Sequence, residues 1–346
     1  MTSSSPLSSS ATLLPLEVPP LNRRALFTQL GWYVAVTFGS SFAVGWLTWS
    51  KGGLGHFPGL PLAMLCPMLA AFFVQCVIAR EPVVRRGQLG LRAGNWRDWL
   101  LLPLAAAAII ATILGLTFLL HPALLADQKT IAENVDKLRA IPGASGQSLE
   151  IRLLIAYGIT LIVAPILNIP IFLGEEIGWR GFMTPRLVAL FGKPGLLVAG
   201  VIWALWHTPF ILLGLNYPAH PVLGHLIWIP VCVAGGILLQ GVVTRSRSIV
   251  PAALCHGVVN QLATLTLSIF AVEQRFRDLV DGPSGVVALL ILTPLAWYVY
   301  HRLQTADIID AVGPRKASSH PSIAARRGEE ATKIDDASDL LARATH

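Results

Sequence analysis

Residues 153–180 read LLIAYGITLIVAPILNIPIFLGEEIGWR. The stretch 153–174 carries no charge. About 20 mostly apolar residues cross the hydrocarbon core of a bilayer as a helix. The run then meets two adjacent glutamates, Glu175 and Glu176, and an arginine four residues after the second. An apolar span ending in three ionisable groups is the pattern of a membrane protein with polar chemistry at membrane depth.

The same reading extends to the rest of the chain. Its 346 residues are 54% hydrophobic and 13% charged, about half the charge of an ordinary soluble domain. That balance excludes a soluble enzyme, a nucleic-acid module and a disordered chain. Apolar runs at 26–49, 57–79, 99–120, 153–174, 195–215, 222–243, 248–271 and 284–300 predict an all-α, polytopic fold of about eight transmembrane helices. Pro58, Pro61 and Pro67 interrupt the second. The Ser- and Pro-rich residues 1–22 are expected to be disordered, as is the tail 304–346. Between them, 23–303 reads as one transmembrane domain. No secretory signal is visible, so the run 26–49 is expected to stay in the mature protein.

Lys and Arg set the orientation. Of 26, 19 fall on the side of the N-terminus and 7 on the other. Both termini are therefore expected in the cytoplasm. The protein is expected to be an integral membrane protein, of the plasma or inner membrane if bacterial, and an internal membrane of a eukaryotic cell fits equally. The external stretch 121–152 is amphipathic and predicts a short interfacial helix. Cys66, Cys76, Cys232 and Cys255 each lie in an apolar run without CxxC spacing and read as small buried hydrophobes.

Ionisable residues inside spans are few. Between 151 and 272 the only acids are Glu175 and Glu176. His207 lies twelve residues into its expected span, about 18 Å deep, and His256 eight residues into another, about 12 Å deep. Asn260 follows His256 by one helical turn on the same face. These groups are expected to converge on a cytoplasm-facing cavity. A carboxylate and an imidazole can take a proton from water, or hold a metal that acidifies it. A second histidine and an asparagine can donate to a tetrahedral oxyanion. Arg180 can hold a neighbouring glutamate ionised or contact a substrate carboxylate. Taken singly, each has a plainer reading. Glu176 and Arg180 have the spacing of an i, i+4 ion pair, and His256 and Asn260 that of interhelical glue.

The arrangement resembles the CPBP family, the type II CAAX prenyl proteases and bacteriocin-processing (Abi) proteins. The resemblance rests on three motifs: Glu175-Glu176-Ile177-Gly178-Trp179-Arg180, Trp203-Ala204-Leu205-Trp206-His207, and His256-Gly257-Val258-Val259-Asn260. Trp203 stands where the family usually has Phe. The resemblance covers about 160–265. It implies an intramembrane endopeptidase acting on a peptide or protein substrate, membrane-anchored or prenylated, within the lipid bilayer and without nucleic acid. Glu175 and His207 would activate water, His256 and Asn260 would stabilise the oxyanion, and Glu176 and Arg180 would shape the site or bind substrate. Zinc on Glu175, His207 and His256 is one form of that chemistry and a metal-free water the other; no organic cofactor is implied. Two rivals are a proton- or cation-coupled transporter using the glutamates, and a non-catalytic scaffold or immunity protein of the same fold. Gly143-Ala144-Ser145-Gly146 matches a serine-protease GxSG but reads as a turn outside the spans. Ser145→Ala is expected to leave peptide hydrolysis unchanged; abolished cleavage would overturn the glutamate-based reading.

Overall fold

The computed structural model describes residues 22–80, 88–137 and 147–313. Residues 1–21 of the expected N-terminal disordered segment and 314–346 of the expected disordered tail lie outside this range, as does Ser145. The described chain is helical; besides one bridge, Leu125–Ala271, it forms no β-structure.

Six helices are long and apolar enough to cross a membrane: α1 (Arg23–Ser50), α2 (Gly59–Ile78), α3 (Trp96–Leu120), α5 (Leu149–Leu167), α10 (Pro221–Ser246) and α11 (Val250–Phe270). Between α3 and α5 lies α4 (Gln128–Lys137), the short amphipathic helix expected there. Its Val135 is buried and its Asn134 amide donates to the Ile269 carbonyl. Leu119, Leu154, Leu167 and Val222 are exposed, as lipid-facing side chains should be.

The expected eight spans differ from this pattern at three places, each for a local reason. The expected fourth span, 153–174, ends at Leu167. Asn168 breaks it and Pro170 opens the next helix, α6 (Ile169–Glu176). A wide π-turn, Ile177–Met183, carries the chain on into α7 (Thr184–Phe191). The glutamates thus lie in the middle of a second helical run, and Arg180 lies inside it rather than in a loop. The run expected at 195–215 is α8 (Pro194–Trp206) and α9 (Thr208–Ile211), broken where Pro209 enters. The run at 284–300 is the 17-residue α12 (Val286–Arg302), followed at 90° by α13 (Thr305–Val312). Helix α13 falls inside the tail expected to be disordered, but Ile308, Ala311 and Val312 are buried. Apolarity continues through the first two breaks, so hydropathy does not register them. Cys66, Cys232 and Cys255 are buried as expected; Cys76 is exposed.

Glycine explains how the glutamate-bearing run reaches the centre. Gly174, Gly178 and Gly181 share one helix face. A Cβ at Gly174 would sit 2.6 Å from the Met64 carbonyl oxygen, and one at Gly181 2.7 Å from that of Leu89. Backbone therefore packs on backbone, and the other faces of the run are buried. Around it lies the core of Tyr33, Trp179, Phe182, Trp206 and Phe210, with Tyr33 and Phe182 stacked at 5.1 Å.

Helices α3, α10, α11 and α12 enclose a cavity of about 1220 Å³. Helices α3 and α10 stand as opposite walls, each packed on both α11 and α12. Residues 271–285 cap one end, where Phe276, Pro283 and Ser284 line the cavity. Two carboxylates hold the cap. Asp281 is fully buried and accepts from the Arg277 backbone and guanidinium and from His121 Nδ1 at 3.0 Å. Asp278 accepts from the Ala219 and His220 amides and from the His220 ring at 2.8 Å. Burial pushes both carboxyls up, but these hydrogen bonds outweigh it and hold both below the usual carboxylate range. A depressed carboxyl contributes stability above its unfolded pKa and loses it as pH falls. Thermal stability is expected to decline as pH drops below about 4. Asp281→Asn should cost about 1–3 kcal/mol at neutral pH and flatten that decline, as read from melting curves across pH.

Candidate functional site

The site is built on four buried side chains from three helical segments. Glu175 and Glu176 close α6, Arg180 lies in the following π-turn, and His256 lies in α11; all are under 8% exposed. A π-turn widens the helix, a feature often found at functional sites.

Glu176 is the junction. Its Oε1 accepts from Arg180 at 3.0 Å and from His256 Nδ1 at 3.0 Å. Arg180 in turn lies over Trp203, its Cζ 4.2 Å from the ring centroid. Glu175 points elsewhere. Its Oε2 accepts from the indole N–H groups of Trp203 at 2.8 Å and Trp179 at 3.0 Å.

His207 sits at the break between α8 and α9 rather than within a continuous span. Its Nδ1 donates to the Trp203 carbonyl at 2.8 Å, which leaves Nε2 as an acceptor. The rings of Trp206, Trp228 and Trp203 surround it at 4.7–5.8 Å. Phe172 and Trp203 flank His256 at 5.1 and 5.6 Å.

The cavity sorts the six candidates. Glu175, His207, His256 and Asn260 line it; Glu176 and Arg180 stand behind its wall. Asn260 is exposed and shows no side-chain hydrogen bond to the others among the described residues. Cys232 and Cys255 also line the cavity.

The donors of a metal site are chemically suitable. Both histidines are oriented through Nδ1 onto oxygen, as metal-binding histidines usually are. They are not gathered, however: among the described residues no three His, Cys, Asp or Glu side chains are grouped so that they could hold a metal.

Trp203 was recognisable from sequence only as an aromatic one turn before His207. The structure puts it against four candidate residues: its N–H meets Glu175, its ring meets Arg180 and His256, and its carbonyl meets His207. The departure from Phe was the available signal, because only Trp carries that N–H. Trp179 and Trp228 were not identifiable from sequence.

The fold and site together define an integral, multi-pass, all-α membrane protein with a buried carboxylate–histidine centre. Residues 151–262 match the Rce1-like family, described as type II CAAX prenyl endopeptidase Rce1-like. The matched segment contains all six candidate residues and agrees with the suspected CPBP family, which supports a CAAX-type intramembrane endopeptidase. No curated protein and no solved structure matches the chain.

Breaking one partner of a buried ion pair strands the other. Glu176→Gln should therefore lower stability by about 3–5 kcal/mol. The double variant Glu176→Gln with Arg180→Gln should cost less than the sum of the two singles. Thermal unfolding of the four proteins in detergent measures the difference.

Proposed function

We propose that the protein hydrolyses a peptide bond of a membrane-anchored or prenylated substrate, with Glu175 as the general base, in a cavity facing the cytoplasm. The observation that carries this reading is the division of labour between the two glutamates. Glu175 lines the cavity, while Glu176 is turned away onto Arg180 and His256.

The chemistry follows from the hydrogen bonds. The two indoles occupy Glu175 Oε2 and leave Oε1 to take a proton from water. His207 Nε2 accepts from that same water and holds it for attack on the carbonyl carbon. As the C–O bond forms, the carbonyl oxygen becomes an oxyanion. His256, held on Glu176 through Nδ1, faces the oxyanion with Nε2, and Asn260 donates from its amide. When the C–N bond breaks, Glu175 returns its proton to the leaving amine. Glu176 and Arg180 position His256 and do not touch substrate. Every step uses the chain's own groups. Zinc, were it held by Glu175, His207 and His256, would supply an acidified water, but these side chains are not gathered around a common point.

The test is cleavage of a peptide library, including prenylated peptides, by purified protein in detergent. Glu175→Gln and His207→Ala should each lower kcat by about 10²–10⁴-fold. Unchanged cleavage in Glu175→Gln would overturn the assignment. Activity that a chelator removes and zinc restores would replace the metal-free route with the metal-bound one.

A further inference from the structure

The cavity is much longer than the site. On α10 one face runs Val231, Gly235, Leu238, Val242, Arg245, a residue per turn, and all five line the cavity. Gly235 lies beside Trp203. From there to Arg245 is ten residues, about 15 Å of helix. On α12 the matching face is Leu292, Val299 and Arg302, and α3 completes the wall from Leu102 to Ile113. The walls are thus hydrocarbon along their length and end in guanidinium.

The end opposite the cap is the basic one. Arg245, Arg247 and Arg302 line it and are exposed. Arg245 is paired with Asp98 on α3 at 3.3 Å. Arg302 lies over the Tyr298 ring, and Arg247 has no acidic partner among the described residues. Asp307 is the other acid at this rim, so the three guanidiniums outnumber the carboxylates. Trp96, Trp297 and Tyr298 stand exposed around the same end, the residue types that mark the membrane–water boundary.

We propose that this cleft holds a membrane lipid with an anionic phosphate headgroup, its phosphate on Arg247 and Arg302 and one acyl chain between α3 and α10. Charge complementarity selects the headgroup, because guanidinium binds phosphate through paired N–H donors. The wall selects the tail. A peptide laid along the arm between Gly235 and Arg245, away from the polar site, would leave most of its backbone amides without partners, at a cost a hydrocarbon chain does not incur. The inference rests on the cavity and not on the peptidase reading.

The experiment uses purified full-length protein incubated with an equimolar mixture of phosphatidylglycerol and phosphatidylcholine, matched in chains. Native mass spectrometry counts retained lipid, and N-ethylmaleimide modification of Cys232 and Cys255 reports cavity occupancy in a Cys76→Ser background. Phosphatidylglycerol should be retained about tenfold over phosphatidylcholine and should slow modification of both cysteines about tenfold. Arg247→Gln with Arg302→Gln should abolish both effects, while Arg247→Lys with Arg302→Lys should keep most of each. Melting curves of both variants verify the fold. Glycerol 3-phosphate, a headgroup without a tail, should not protect. Equal retention of the two lipids, or retention without cysteine protection, would overturn the proposal. So would protection by a peptide with a free C-terminal carboxylate and none by phosphatidylglycerol, which would make the rim a peptide-end subsite.

Discussion

A carboxylate out of reach of water must be compensated on the spot. Glu176 is fully buried, and one of its oxygens serves both Arg180 and His256. That requirement fixes the centre of the molecule. Arg180 must lie one turn along the same run, and α11 must pack close enough for His256 to reach the same oxygen. The guanidinium then rests on Trp203, whose N–H fixes Glu175 and whose carbonyl fixes His207. One compensated charge thus sets the arrangement of three helical segments.

This arrangement separates the groups that line the cavity from those behind its wall. Behind the wall, one oxygen of Glu176 serves both Arg180 and His256, while on the wall Glu175 and His207 hold their hydrogen bonds through one atom each. His207 and His256 are each anchored through Nδ1 on a different kind of oxygen, a backbone carbonyl and a carboxylate. In the proposed mechanism the same residue type would hold water in one place and face a developing charge in the other. The indole lining around His207 and the aromatic pair around His256 keep both rings in place without competing for their outer nitrogens.

Much of this was legible in the sequence. The membrane class followed from composition, and the six candidate residues stood out because charge is rare in that half of the chain. What the sequence hid were the breaks. Asn168, Pro170 and Pro209 lie within runs whose mean apolarity never falls, so the glutamates read as a span's end and His207 as mid-span. Helix α13 was missed because its buried face is only Ile308, Ala311 and Val312 in a polar segment. The two-sided role of Trp203 was hidden too, since an aromatic at helical spacing reads as packing until its N–H is placed.

The spacing of the Glu176 partners also bears on biogenesis. Arg180 is four residues away, but His256 is 80 residues later in the chain. At about 5–20 residues per second, the ribosome reaches His256 some 4–16 seconds after the glutamate leaves it. Throughout that interval Glu176 has its own counter-ion one turn away, so the penalty of an unaccompanied carboxylate at membrane depth is reduced from the start. The histidine then arrives at an oxygen already held in position. A pair that helps organise the finished site thus also eases its passage into the lipid.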